Sequence, residues 1–147
     1  MFKEKIPDNQ YFIGRIEICQ SSTHGLGVFA LENFPKRAYI EVSPYLEFDP
    51  VILYDWQDFR ERGRHIVHEY VFKLPNGNVA SAHGYASIYN HSSHPNAHWS
   101  WREGKNPAIL ILAKEEIKKG DEIFIKYCPD SVRLNFMDKN LDMEEWK

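Results

Sequence analysis

The 147-residue sequence contains only two cysteines, Cys19 and Cys128, and this scarcity excludes several classes of small protein. Two cysteines cannot by themselves supply the four ligands of a structural zinc site. One disulfide is arithmetically possible, but nothing else in the sequence suggests a disulfide-rich extracellular framework. The first ten residues carry charges and a proline instead of the apolar run of a signal peptide. The sequence therefore predicts a reducing, intracellular setting.

Long hydrophobic runs and an excess of positive charge are also lacking. The longest apolar run, residues 108–113, is far too short to span a membrane. The formal net charge is -3, whereas a nucleic-acid-binding domain usually carries a basic patch or stripe. A mildly acidic surface is instead compatible with a basic peptide substrate. The sequence therefore predicts a soluble protein that binds neither membranes nor nucleic acids.

What the sequence does contain is enough apolar material for one folded domain, with hydrophobic residues at 43% and aromatic residues at 14%. It has no repeat and no low-complexity linker, so a single domain over residues 1–147 is the simplest interpretation. An Asn-Gly pair at residues 76–77, between two β-prone runs, is the best hairpin signal. Helical spacing is confined to residues 50–64 and 131–146. Short apolar runs separated by turns predict strands over residues 13–19, 27–31, 38–42, 70–74, 79–82, 108–113 and 122–127. The expected fold class is mostly β, of the α+β type.

Two short segments contain residues suited to binding a ligand. Gly25 and Gly27, in the sequence His-Gly-Leu-Gly at 24–27, permit positive φ and a close approach of backbone to ligand. A tight turn between two strands is the alternative interpretation. Residues 90–96 read Asn-His-Ser-Ser-His-Pro-Asn. Asn90 offers both a donor and an acceptor, while Ser92 and Asn96 can hold the backbone through local side-chain bonds. A polar loop before a strand, or a histidine buried in the core, is the alternative interpretation of this segment.

The histidines around the second segment raise the question of a metal site. His91, His94 and His98 follow one another at spacings of three and four, which would place them on one face of a helix. Pro95 and the neighbouring serines favour a loop instead. The sequence therefore predicts no metal ion.

A third segment, residues 120–127, reads Gly-Asp-Glu-Ile-Phe-Ile-Lys-Tyr and ends at Tyr127. A tyrosine at the end of a strand is often a core residue. In this order and at this spacing, however, the three segments resemble the SET-domain family of protein lysine methyltransferases. The resemblance covers most of the chain, with a core at about 13–127. It implies a fold of several small sheets with a threaded, knot-like C-terminal segment, and a tail at 128–147 that closes the site.

The resemblance also implies an activity, the transfer of a methyl group from S-adenosyl-L-methionine to a lysine side chain of a histone or another protein. Tyr127 is then the catalytic residue. The residues expected to bind the cofactor are Gly25, Leu26, Gly27, Asn90 and His91. The residues expected to line a substrate channel are Tyr45, Trp99 and Phe136, although Trp99 is equally well explained as a core residue.

The sequence departs from the family pattern in several places, including a tail at 128–147 whose only cysteine is Cys128. Residues 41–44, Glu-Val-Ser-Pro, replace the frequent Glu-Tyr-x-Gly, and Ser87-Ile88-Tyr89 replaces a segment with an Arg-Phe pair. A module that binds cofactor or peptide without catalysis is therefore the alternative function. The target protein, the degree of methylation and the formation of a homodimer are left open.

Overall fold

The computed structural model describes residue 7, residues 9–50 and residues 71–127. Every regular element within these residues is a strand, which confirms the mostly-β prediction there. The strands are β1 (Phe12–Ile13), β2 (Ile16–Gln20), β3 (Leu26–Ala30), β4 (Tyr39–Phe48), β5 (Phe72–Lys73), β6 (Val79–Ala82), β7 (Asn90–His91), β8 (Ala97–Arg102), β9 (Ala108–Ala113) and β10 (Glu122–Ile125). The helices predicted within 50–64 and 131–146 lie, apart from residue 50, outside the described residues.

The larger sheet has the order β5-β6-β4-β9-β8, with β1 also paired to β4. β4 pairs with β9 as far as Pro44 and with β6 from Tyr45 onward. Proline has no N–H to donate, and Pro44 lies where the strand changes partner, while its carbonyl accepts the His83 N–H at 2.9 Å. The predicted strand 38–42 is therefore longer in the structure, because Pro44 marks a change of partner and not the end of the strand.

The smaller sheet, of order β2-β3-β10-β7, brings together segments that are distant in sequence. β10 pairs antiparallel with β3 and parallel with β7, where Phe124 faces Asn90 and Ile125 faces His91. The Ser92 N–H extends this pairing by donating to the Ile125 carbonyl at 3.0 Å. The pairing holds Asn90 and His91 at the end of β10, next to Tyr127.

One hydrophobic core joins the two sheets. It combines Ile123 and Ile125 of β10 with Ile111 of β9 and Trp99 of β8, all of them buried. Ile123 and Ile125 share one face, as the alternation in the sequence predicts. Each large apolar side chain that is fully buried contributes about 1.5–3 kcal/mol to stability, so this core fixes the position of β10 and the residues that follow it.

Two local predictions had different outcomes. The Asn-Gly hairpin is confirmed, because β5 and β6 are antiparallel, Gly77 has φ 93°, and its N–H donates to the Leu74 carbonyl at 3.0 Å. The single strand predicted over 13–19 is instead divided into β1 and β2, which pair with β4 and β3 respectively. Gly14 lies at the division, where a Cβ would be 2.9 Å from the Ile40 carbonyl oxygen.

No helix of the described residues is long and apolar enough to cross a membrane.

Candidate functional site

A cleft of about 360 Å³ opens where the β2–β3 turn meets the segment before β7 and the end of β10. This volume lies within the usual range for small-molecule sites. Leu26 is 56% exposed, so an apolar side chain is available to a ligand in the cleft. The residues that line the cleft are His24, Gly25, Leu26, Ser87, Ile88, Asn90 and Tyr127. The structure thus brings together members of all three sequence segments.

The β2–β3 turn has a fixed shape. The Ser21 N–H donates to the Gly25 carbonyl at 2.7 Å, and the Ser21 hydroxyl accepts the Thr23 N–H at 2.9 Å. Gly25 has φ 47°, in the left-handed region where a Cβ is unfavourable. The turn predicted between two strands is therefore present, and it forms one wall of the cleft.

Asn90 connects this turn to β10. Its side chain is almost fully buried, and Nδ2 donates to the carbonyl oxygens of His24 and Leu26 at 3.0 and 3.1 Å. Nδ2 also donates to Oε2 of Glu122 at 2.8 Å. An amide has two hydrogens, so at least one of them is shared between acceptors. Because all three acceptors surround Nδ2, the orientation of the amide is defined.

Glu122 is a site residue to which the sequence alone assigned no role. Its Oε1 accepts the Ser21 hydroxyl at 2.7 Å while its Oε2 accepts Asn90. A Cβ on Gly27 would lie only 2.4 Å from that Oε2 and 3.1 Å from Asn90 Nδ2. Gly27 therefore makes room for the Asn90–Glu122 contact and is not itself among the cleft-lining residues.

His91 contacts Tyr127 directly. Its Nδ1 accepts the Tyr127 backbone N–H at 3.0 Å, and the two rings are tilted with centroids 5.1 Å apart. Burial, followed by the positive charge of Lys126, lowers the pKa of His91 from 6.5. A neutral ring that accepts at Nδ1 carries its proton on Nε2. The ring of His91 thus holds the backbone at Tyr127 and does not line the cleft.

The lowered pKa of His91 predicts a dependence of stability on pH. The folded protein holds His91 neutral where the unfolded chain takes up a proton, so its contribution is complete above pH 6.5 and is lost as pH falls through the folded pKa. The free energy of unfolding should therefore fall more steeply from pH 7 to pH 5 in the wild type than in His91→Gln. Urea titrations across this range measure the difference.

His98 provides the internal control for this measurement, because burial lowers its pKa too and it is present in both proteins. Subtracting the free energy of unfolding of His91→Gln from that of the wild type at each pH therefore leaves the contribution of His91. Parallel curves for wild type and variant would contradict the assignment of a neutral, accepting ring.

A second group of polar residues lies buried next to the cleft, around Glu41 of β4. Its Oε1 accepts the Tyr89 hydroxyl at 2.7 Å, and its Oε2 accepts the Tyr85 N–H at 2.7 Å and the Ser43 hydroxyl. Burial raises the pKa of Glu41, against the opposing effect of hydrogen bonds from Ser43, Tyr89, Tyr85 and Ala86. Glu41, which matches the family pattern, and Ser43, which lies between the departures at Val42 and Pro44, thus take part in a buried network.

Two of the three residues predicted to line a substrate channel lie among the described residues, and neither lines this cleft. Trp99 is buried in the core, where its ring is 4.8 Å from that of Phe72 in an edge-on arrangement, and it does not line the cleft. Tyr45 is buried on β4 and also does not line the cleft. Burial, then the charges of Glu47 and Glu103, raise the pKa of Tyr45. Phe136 lies outside the described residues.

The histidines of the second segment do not come together. Among the described residues there is no group of three or more His, Cys, Asp or Glu side chains that could hold a metal ion. His91 faces Tyr127, whereas the His94 ring is 3.1 Å from the Ser93 hydroxyl.

The sequence alone assigned no role to some residues in and around the cleft. Some of them could have been identified from the sequence, and others only from the structure. Ser87 and Ile88 line the cleft and lie three and two residues before Asn90, so proximity to a motif would have identified them. Ser21 lies in the β2–β3 turn and does not line the cleft, and only the structure shows that its hydroxyl reaches a carboxylate 101 residues away.

Comparison with known proteins gives one family match, in which the model of the SET domain matches residues 25–128. A histone-lysine N-methyltransferase of Schizosaccharomyces pombe, H3 lysine-37 specific, is 32% identical over 113 residues, covering 76% of this chain and 72% of the relative.

Two H3 lysine-36-specific histone-lysine N-methyltransferases are also similar. The one from Mycosarcoma maydis is 32% identical over 120 residues, and the one from Candida albicans is 29% identical over 136 residues. The alignments cover 78% and 86% of this chain but only 12% and 15% of these relatives. A crystal structure of a Plasmodium falciparum protein assigned as a histone methyltransferase superposes with a TM-score of 0.63 at 29% identity, covering 79% of this chain and 95% of that one.

Proposed function

The chain belongs to the SET-domain family and is a methyltransferase that acts on lysine side chains of proteins; we propose that it uses S-adenosylmethionine bound in the cleft and Tyr127 as the catalytic residue. The observation that carries this proposal is the meeting of Gly25, Leu26, Asn90 and Tyr127 around one cleft. These residues come from three segments up to a hundred residues apart, and a shared ligand explains why they converge.

The cleft has the chemistry that S-adenosylmethionine requires. Leu26 offers an exposed apolar side chain, and the fixed amide of Asn90 offers an acceptor for an ammonium or amino group. The carboxylate of Glu122, held by Asn90 and Ser21, adds a negative charge close to a cationic cofactor. When bound, S-adenosylmethionine would supply a methyl group on positively charged sulfur; a lysine amine that has lost a proton to water would form a bond to the methyl carbon, and the neutral thioether would leave.

The contribution of the protein to this reaction is mainly positioning. Correct placement of two reactants is worth roughly 7–11 kcal/mol of the barrier. Tyr127 lies at the rim of the cleft, next to the core and to His91. Its hydroxyl provides a polar contact where the amine approaches, and His91 holds the backbone from which that hydroxyl extends.

The proposed substrate is a lysine in a basic segment, with histone H3 around lysines 36 and 37 as the first candidate. The names of the relatives and the net charge of -3 support this choice. We further propose that residues 1–147 form one SET domain, in which residues 128–147 close the site and Tyr45 contributes to the lysine channel.

Asn90→Ala provides the test of the cofactor site. It removes the amide that joins the turn to Glu122, so the dissociation constant for S-adenosylmethionine should rise about 10- to 100-fold, as expected for losing hydrogen bonds to a charged group. Calorimetric titration of the purified variant measures this change, and transfer of labelled methyl groups to H3 peptides measures the activity.

Asn78→Ala is the matched control, because Asn78 Nδ2 donates to Glu47 Oε2 at 2.8 Å in the β5–β6 hairpin, away from the cleft. It should bind the cofactor like the wild type. Equal affinity in Asn90→Ala and wild type would overturn the site. Cofactor binding without methyl transfer to any protein would instead favour the catalytically silent module.

A further inference from the structure

The buried carboxylate of Glu41 holds both ends of the segment that forms one wall of the cleft. At the beginning of this segment, the Tyr85 N–H donates to Oε2 at 2.7 Å. At its end, the Tyr89 hydroxyl donates to Oε1 at 2.7 Å. Between these two contacts lie Ser87 and Ile88, which line the cleft, and Asn90 follows immediately.

The surroundings of Glu41 leave little room for its carboxylate to move. The side chain is fully buried and so is Tyr89. A Cβ on Gly84 would lie 2.3 Å from Glu41 Oε2 and 2.1 Å from Ser43 Oγ. Any side chain at residue 84 would therefore collide with the carboxylate and the hydroxyl. Burying a carboxylate is costly unless hydrogen bonds compensate it. A bulky apolar residue would fill the same space at less cost if packing were the sole requirement.

We propose that Glu41 is a positioning residue for the methyl-transfer site. By holding Tyr85 and Tyr89, it fixes the path of the backbone between them. That backbone places Ser87 and Ile88 in the cleft wall and leads directly into Asn90. This inference rests on the proposed function, because the cleft it shapes is the proposed cofactor site. The Ser43 hydroxyl donates to the same carboxylate from the β4 side and belongs to no part of the cleft segment.

Two substitutions separate positioning from plain stability. Tyr89→Phe removes a hydroxyl that donates to Glu41 from the cleft segment, while Ser43→Ala removes a hydroxyl that donates to it from β4. Each leaves Glu41 with one donor fewer and keeps the buried volume nearly unchanged, so the two variants are a matched pair. Loss of a hydrogen bond to a charged group affects the stability of both.

If Glu41 positions the cleft wall, Tyr89→Phe should raise the KM and the dissociation constant for S-adenosylmethionine roughly fivefold to tenfold, with kcat nearly unchanged. Ser43→Ala should change both by less than about twofold. Backbone amides of residues 85–90 should also exchange with deuterium faster in Tyr89→Phe than in Ser43→Ala, since local opening of the segment becomes easier.

Equal exchange in the two variants, or cofactor affinity that is the same in both, would overturn the positioning role. The exchange measurement needs no cofactor. If the wild type fails to bind S-adenosylmethionine, the proposed function is overturned, while exchange still decides whether Glu41 holds the segment.

Discussion

Tyr127→Phe should lower kcat for lysine methylation by about 10²- to 10³-fold, the usual cost of removing one polar group that acts in the transition state. The affinity for S-adenosylmethionine should stay within about threefold of wild type, because the substitution removes only a hydroxyl. Single-turnover transfer of labelled methyl groups measures the first quantity, and calorimetry the second.

The structure explains why this variant should keep the geometry of the site. The contact with His91 uses the Tyr127 backbone N–H at 3.0 Å and the tilted packing of the two rings, and phenylalanine retains both. The core contacts of the ring are also retained. A loss of activity in a stable variant that still binds the cofactor would therefore be due to the hydroxyl itself.

Tyr11→Phe is the control for this substitution. Tyr11 is exposed and its hydroxyl donates weakly to the Pro107 carbonyl at 3.5 Å, far from the cleft-lining residues. It should be as active as the wild type. Full activity in Tyr127→Phe would sink the catalytic assignment, and an equal loss of affinity and of kcat would make Tyr127 a binding residue.

Much of the fold could be predicted from local pattern. The strands β6 and β9 have the bounds expected from their apolar runs, and the Asn-Gly turn between β5 and β6 is present. These elements were predictable because their side-chain alternation and turn residues are local properties. The three functional segments were recognised through the family resemblance, and the structure places members of each at one cleft.

The elements that assemble the site were harder to predict from the sequence, because they depend on contacts between distant residues. β7 has only two residues, too few for any periodicity, and it exists because β10 pairs with it. Asn96 was expected to form local bonds, as Ser92 does with the His94 N–H at 3.0 Å. Instead its amide bonds the backbone of β10, accepting the Phe124 N–H at 2.8 Å and donating to the Glu122 carbonyl at 2.9 Å.

Gly27→Ala is the second substitution with a large expected effect, and it tests how the site is held together. The new Cβ would lie 2.4 Å from Glu122 Oε2, a separation that real Cβ atoms do not tolerate. The carboxylate is the end of a flexible side chain and can move, but moving it breaks the contacts with Ser21 and Asn90. Since hydrogen bonds to a charged group are worth about 1.5–3 kcal/mol, the dissociation constant for S-adenosylmethionine should rise about 10- to 100-fold.

A double-mutant cycle with Glu122→Ala identifies the cause of that loss. If Gly27→Ala acts by displacing the Glu122 carboxylate, it should cost little more once that carboxylate has been removed. Calorimetry on the two single variants and the double variant gives the coupling free energy. Losses that add independently would show that Gly27→Ala acts by a route other than the Glu122 carboxylate. A strong coupling would mean that the second glycine of the turn serves the Asn90–Glu122 contact, so that a missing Cβ in β3 controls the orientation of an amide in β7.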